Sequence, residues 1–395
     1  MKIAVLKETR FGETRVAASP ETVKKFVGLG ATVSVQAGAG AGARFSDQEF
    51  KDAGAEISPS AADTAQNADL IVKVQRPSSE ELRTIGRGTK LAAILSPHSE
   101  PDSVAAYARL GVDALAMDLM PRITRAQSMD VLSSQSNLAG YKAVVDAVAY
   151  YGKAAPMMMT AAGTIAPAKV FVMGAGVAGL QAIATARRLG AVVSATDVRY
   201  AAKEQVESLG ASFVTVDEEA MKEAETEGGY AKEMSADFKK HQAEFVADHI
   251  KKQDIVITTA LIPGLPAPTL VSADMVQSMS AGSVIVDLAA EQGGNVELTQ
   301  PGDAIETGGV TILGFKNVPG RLASDASSLL ARNIYNFVAA FWDKEESDFV
   351  VDWDDEIIKG IALTKNGGIA HASFQQTTSE EVTAPPSVTN EDTKE

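Results

Sequence analysis

One stretch, Lys169-Val-Phe-Val-Met-Gly174-Ala175-Gly176-Val177-Ala-Gly179-Leu-Gln-Ala, restricts the fold more than any other segment of this 395-residue chain. Five residues of strand character run into three glycines at G-x-G-x-x-G spacing, and an apolar helical pattern grows out of the last. The spacing predicts a parallel strand–turn–helix unit. Gly174 permits the tight turn, Gly176 lets the backbone N–H groups of the helix end approach a diphosphate, and Gly179 lets helix and strand pack closely. The next strand, Val192–Thr196, ends in Asp197, twenty-three residues beyond Gly174. A carboxylate there would accept hydrogen bonds from ribose hydroxyls and repel a 2′-phosphate, which favours NAD(H) over NADP(H). Arg199, two residues on, pulls slightly the other way.

Around this unit, short apolar runs alternate with helical patterns. In the amino-terminal half they fall at residues 3–6, 32–35, 70–74, 91–95 and 112–117, with a helical repeat at 20–29 that places Val23, Phe26 and Val27 on one face. In the carboxyl-terminal half they fall at 169–173, 192–196, 213–216, 255–260, 283–288 and 310–313. The expected fold class is therefore α/β, with two Rossmann-like domains whose parallel sheets are separated by a cleft. The length supports two cores of about 150 to 200 residues. We place the first domain at 1–130 plus 322–373, because a helix at 326–341 and short β runs about the Asn366-Gly367-Gly368 turn follow the last strand. The second domain is placed at 138–321. Residues 374–395 are polar and contain Pro, and read as a disordered tail or linker.

Composition removes several function classes. Fifty-one acidic against 36 basic residues give a net charge of −15, which disfavours binding to nucleic acid or to anionic lipid. With no Cys and four scattered His, thiolate chemistry is excluded and no metal-ligand spacing stands out, so no metal is expected. The start, MKIAVLKETR, lacks the apolar core of a signal peptide, and no run approaches the roughly 18 apolar residues that span a bilayer, so a cytoplasmic chain without direct membrane insertion is expected.

Three further segments bear on a site. Gly38-Ala-Gly40-Ala-Gly42-Ala43 also follows a strand, but it leads to Ser46 and Asp47, which look like the N-cap of a separate helix, so it reads as a turn. Thr258-Thr-Ala-Leu261-Ile-Pro263-Gly264 ends a strand in small residues at the carboxyl edge, where ligands of such sheets bind. Between Val216 and Ile255 lie 38 residues that include Gly228-Gly229-Tyr230, long enough for a glycine-hinged lid or for an extra surface helix.

The most polar segment is 122–137, RITRAQSMDVLSSQSN, with two Arg, two Gln, one Asp and four Ser and neither Pro nor Gly. Its polarity suits a hydrogen-bonding site set between apolar elements, read here as a loop. Arg122 and Asp130 could instead pair with each other to brace the cleft.

These motifs, together with KIAVLKETRFGETRVAASPETV, VKVQRP, PMMMTAAGT and SVIVDLAAEQGGN, resemble in order the alanine dehydrogenase and transhydrogenase superfamily over nearly the whole chain. Within it, RAQSMD…SSQSNLAGY and GGYAKEM are similar to the NAD(H)-binding domain I, the alpha subunit of proton-translocating NAD(P) transhydrogenase. The resemblance implies a homodimer that binds NAD(H). It also implies a membrane subunit and a beta subunit that binds NADP(H), which would hold the chain at the cytoplasmic face of the inner membrane through its partners. By the same resemblance, the nicotinamide-side residues fall on Arg122, Gln127, Asp130 and Ser133, and the diphosphate and ribose contacts on Gly174, Ala175, Gly176, Val177, Asp197, Val198 and Arg199. It also assigns Gly229 and Tyr230 to a mobile loop, and Gln242 and Leu261 to the nucleotide site.

An alanine dehydrogenase is the alternative. By resemblance its substrate-binding Arg falls on Arg15, but its Lys position reads Gln75, its His position Ser96 and its Asp position Glu291. Gln and Ser cannot act as general acids or bases at neutral pH, whereas hydride transfer between two nicotinamides moves no proton at the site. The residues therefore point to hydride exchange with a second nucleotide on another chain, with Arg15 in a structural role. A nucleotide-sensing subunit without turnover is a third reading.

Overall fold

In a computed structural model, residues 1–224, 236–262 and 264–375 are described. The glycine-hinged segment with Gly229 and Tyr230, Pro263 and the chain beyond Gln375 lie outside the described residues.

The first sheet contains β1 (Lys2–Val5), β2 (Thr32–Gln36), β3 (Glu56–Ser58), β4 (Leu70–Gln75), β5 (Lys90–Ile94) and β6 (Asp113–Ala116), all parallel, in the order β3-β2-β1-β4-β5-β6. An exposed hairpin follows, β7 (Met158–Thr160) and β8 (Gly163–Ile165). The second sheet contains β9 (Lys169–Met173), β10 (Val192–Thr196), β11 (Ser212–Phe213), β12 (Ile255–Thr258), β13 (Val284–Asp287), β14 (Ala304–Thr307) and β15 (Val310–Leu313), in the order β11-β10-β9-β12-β13-β15-β14. It is parallel except for β14, which runs antiparallel to β15.

Both sheets are apolar on both faces, which is why their strands read as continuous runs. Along β1 and β4 the residues alternate between two cores: Ile3, Val5, Leu70, Val72 and Val74 face one, and Ala4, Leu6 and Ile71 the other. In β9, Val170 and Val172 face one core while Phe171 and Met173 face its opposite. The helix Ala323–Ala340 returns from the second sheet and buries Leu330, Ile334, Phe337 and Val338 against the first.

Some expectations need correction. The polar segment is not a loop: residues Thr124–Met129 form a 3-10 turn, and Asp130 caps the helix Val131–Tyr150. That helix begins in the first core at Val131 and buries Ala143, Val144 and Ala147 in the second, so it joins the two sheets. β3, β14 and the hairpin escape the sequence reading because they are short and partly exposed, with little apolar alternation. β11 stops at Phe213, earlier than its apolar run. Phe374, where the polar tail was expected to start, is buried and packs against the rings of His98 and His371. Between β11 and β12 lie two helices, Glu218–Ala224 and Ala236–Ile250. The first glycine cluster is a turn, as expected: Ser46 caps the helix Asp47–Asp52 in a capping box with Glu49.

The joining helix lies on Val177–Arg188, the helix that grows from the glycine turn. A Cβ placed on Gly140 would stand 2.0 Å from the Ala178 carbonyl oxygen, so the two backbones meet with no room for a side chain. Gly140→Ala should therefore destabilise the protein by about 1–3 kcal/mol in urea unfolding. Gly28→Ala, at a position with open space, should be neutral or slightly stabilising; equal behaviour of the two variants would remove the close-contact explanation.

Candidate functional site

The glycine turn sits at the carboxyl end of β9. Gly174 has φ +102°, and a Cβ on it would fall 2.5 Å from Thr259 Oγ1. A Cβ on Gly179 would fall 1.8 Å from the Gly174 carbonyl oxygen. Both positions are closed to other residues, for reasons of backbone and packing. Gly176 differs: among the described residues nothing lies within 4 Å of its Cβ position, and no side chain caps the helix end that it begins. Open space in front of uncapped N–H groups is what a diphosphate needs, so the turn fits a dinucleotide.

Asp197 stands at the end of the neighbouring strand, but its carboxylate is already engaged. It accepts from the backbone N–H of Ala175 at 2.7 Å, and from the backbone N–H and guanidinium of Arg199 at 2.8 to 3.0 Å. The acid thus organises the turn, and Arg199 is its partner. Gln242 donates to Thr196 Oγ1 and accepts from the Val216 N–H, which ties its helix to the same edge. Val177, Val198 and Leu261, which follow the ends of three adjacent strands, are 41%, 71% and 47% exposed. Exposed apolar side chains flanking such a turn suit contact with a nucleotide base or ribose.

Sequence reading missed what holds the Leu261 loop. Asp287, fully buried at the end of β13, accepts from Thr258, Thr299 and the backbone N–H groups of Ala289, Asn295 and Val296. Asn295, also fully buried, accepts from the Ala260 N–H and donates to the Ala260 and Pro268 carbonyls. A lone Asp ending an apolar strand ahead of Gly293-Gly294-Asn295 was the available signal. Across the gap, Gly264 lies against His98 of the first domain, whose side chain would be 3.3 Å from a Cβ on that glycine.

The polar segment lies at the carboxyl edge of the first sheet, beyond β6. Asp130 accepts from the Ser133 N–H at 2.9 Å and from its hydroxyl at 2.5 Å. Arg122 is exposed and forms no ion pair among the described residues, so the suggested Arg122–Asp130 brace is absent. Gln127 is exposed, and its side chain makes no hydrogen bond among the described residues. The structure brings Asp130 and Ser133 together and leaves Gln127 and Arg122 presented to the outside.

Arg15 and Gln75 belong to a buried network. Arg15 grips Glu13 through two nitrogens at 2.7 and 2.8 Å and donates to Gln135 of the joining helix at 2.8 Å. Gln75 donates to Glu13, and so does Asn317, from the loop after β15. Burial raises the pKa of Glu13, but hydrogen bonds and charge from Arg15 outweigh it and hold the carboxyl at about 2. Ser96 donates its N–H to Asp118, and Glu291 accepts from the Asn317 N–H. Arg15, Gln75 and Glu291 thus spend their side chains on hydrogen bonds within the protein, while Ser96 gives only its backbone N–H.

Beside this network, Lys73 reaches both Glu8, at 3.4 Å, and Glu81, at 3.0 Å. One buried ammonium balances one carboxylate. Burial accordingly pushes Glu8 up to about 7 against the pull of Lys73, while Glu81 is lowered: burial raises it, and Lys73 and the Ser78 N–H more than offset that.

Fold and site define a protein of two Rossmann-like domains, with a dinucleotide turn on one and a polar face on the other. The chain belongs to the alanine dehydrogenase/PNT family: residues 4–139 match its N-terminal domain and residues 143–372 its C-terminal domain. It is 55% identical over 379 residues to an NAD(P) transhydrogenase subunit alpha polypeptide of Rhodospirillum rubrum, covering 95% of this chain and 99% of that protein. The solved transhydrogenase of Sinorhizobium meliloti is 52% identical, with a TM-score of 0.85 over 93% of this chain and all of that one. An L-alanine dehydrogenase structure is more distant, 27% identical with a TM-score of 0.78 over 95% of this chain and 99% of its own.

Glu8 makes stability depend on pH in a definite direction. Its folded pKa of about 7 lies above the ordinary 4.5, so between these values the folded state binds more protons and stability falls as pH rises. Glu8→Gln should flatten that loss when urea midpoints are compared at pH 4.5 and pH 7; an unchanged pH dependence would show that Glu8 does not carry it.

Proposed function

We propose that this chain is the NAD(H)-binding subunit of a proton-translocating NAD(P) transhydrogenase. It would hold NAD(H) at the glycine turn and exchange hydride with NADP(H) bound on a beta subunit. The observation that carries the reading is the pairing of a dinucleotide turn with an exposed polar face whose carboxylate, Asp130, is already held by the N–H and hydroxyl of Ser133.

NAD(H) supplies the hydride chemistry at its nicotinamide C4, and the protein's work is to bind, orient and exclude water. The uncapped helix end and Gly176 would take the diphosphate, with Asp197 and Arg199 on the ribose side. Gln127 would orient the nicotinamide carboxamide, and Asp130, Ser133 and Arg122 would complete the polar face. Gly229, Tyr230, Gln242, Val198 and Leu261 would enclose the nucleotide. Because no proton moves at the site, Gln75 and Ser96 are compatible with turnover in a way they are not for amino-acid dehydrogenation.

The partners we propose are a second copy of this chain, the NADP(H)-binding beta subunit and a membrane subunit. They would place the chain on the cytoplasmic face of the inner membrane. Among the described residues no helix is long and apolar enough to cross a membrane. The β7–β8 hairpin, with Met157, Met158, Met159 and Ile165 exposed, offers an apolar arm for the second copy.

Two measurements test the reading. The chain mixed with an NADP(H)-binding partner should catalyse NADH-dependent reduction of an NADP analogue, and neither component alone should; pyruvate- and ammonia-dependent oxidation of NADH by the chain alone would overturn it. In that assay Gln127→Asn should slow transfer at least about tenfold with little change in NADH affinity, and equal losses in both would remove its orienting role. In equilibrium titrations NADH should bind more tightly than NADPH, with Asp197→Asn narrowing the difference. Equal affinities in the unmodified chain would refute the assignment to Asp197.

A further inference from the structure

The polar turn has three faces, because side chains three residues apart in a 3-10 helix lie above one another. Ile123, Ala126 and Met129 form the inner face: Ala126 and Met129 are buried in the first core and Ile123 packs against it. Arg125 and Ser128 form the second. Thr124, Gln127 and Asp130 form the third, which includes the exposed amide of Gln127.

The second face is held from outside the turn. The Ser128 carbonyl accepts two side-chain amides from the helix Ala323–Ala340, Asn333 Nδ2 at 2.8 Å and Asn336 Nδ2 at 3.0 Å. Arg125 pairs in bidentate fashion with Asp355 at 2.8 and 2.9 Å, and Asp355 also caps the helix Glu356–Ile361. The hydrogen bond to Arg125 is the main reason that the Asp355 carboxyl is lowered. Within the turn itself the last bond is weak: the Asp130 N–H meets the Gln127 carbonyl at 3.4 Å. Asn333 is buried, and among the described residues its own Oδ1 has no hydrogen-bond partner, so its side chain is placed for the donor it gives to Ser128.

We propose that Asn333 and Asn336 are positioning residues for hydride transfer: together they grip the Ser128 carbonyl and thereby fix the backbone that aims Gln127. A 3-10 turn of six residues has poor hydrogen-bond geometry of its own, so two external donors on one carbonyl decide where its neighbour points. The charged Arg125–Asp355 pair, more than half exposed on the Arg side, contributes less. The inference rests on the role of Gln127 proposed above and adds the device that sets it.

The test uses the full chain, with Asn336→Ala, at a half-buried position on the helix Ala323–Ala340, and Asn333→Leu, which keeps the branched shape of the side chain and removes the donor. Hydrogen–deuterium exchange of the amides at 127–131 reads the clamp directly, without any nucleotide. It should quicken roughly five- to tenfold in each variant, with unfolding midpoints close to that of the unmodified chain. In the reconstituted complex, transfer should slow by about tenfold in the double variant while NADH affinity stays within about twofold. Unchanged exchange in the folded variants overturns the proposal, as does unchanged transfer in them when Gln127→Asn is slow. If Gln127→Asn transfers at the normal rate, it is the orienting role of Gln127 that fails, and exchange still decides whether the clamp exists.

Discussion

The structure depends on one place where two helices meet through bare backbone. The helix Val131–Tyr150 carries the polar turn at its amino end and, ten residues on, presses Gly140 against the Ala178 carbonyl at the start of the dinucleotide helix. At 1.5 Å per residue, the polar turn and this contact are separated by about 15 Å of a single rigid rod. Whatever holds this contact also sets the reach between the glycine turn and Gln127. Neither sheet needs to know about the other.

A second set of bonds steadies the same rod from the first domain. Arg15 reaches Gln135 on the helix, Glu13 holds Arg15, and Asn317 from beyond β15 closes on Glu13. Gln135 also donates to the Ala326 carbonyl of the returning helix. The Arg15, Glu13 and Gln135 side chains are buried and bonded to one another, which defines one geometry because any slip leaves a charge unpaired in a low-dielectric setting. Arg15 and Gln75, the positions expected of an amino-acid substrate site, are taken up by these bonds.

Much of this was legible in the residues. Apolar runs on both faces announced parallel sheets, and the spacing of Gly174, Gly176 and Gly179 announced the turn that the backbone adopts. The capping of Asp47–Asp52 by Ser46 was readable because it is local. What stayed hidden is non-local. Nothing in RITRAQSMD says that Ser128 will meet Asn333, 205 positions away, and a count of polar residues masked the apolar period of three at Ile123, Ala126 and Met129. Asp197 was legible as an acid at a strand end but not as the partner of Arg199 and the Ala175 N–H. Asp287 and Asn295 were passed over because their work is to tie one loop to another.

The three-faced turn carries a consequence for how such a sequence can drift. With three residues per revolution, losing or gaining one residue between Ile123 and Asp130 rotates everything after it by a third of a turn. Such an indel would carry a core residue to the surface and swing Ser128 away from its two amides. A change of side chain at the exposed Thr124 moves nothing else. Residue count, more than residue identity, is therefore what this segment must conserve, and variation among its relatives should run to substitutions at constant length.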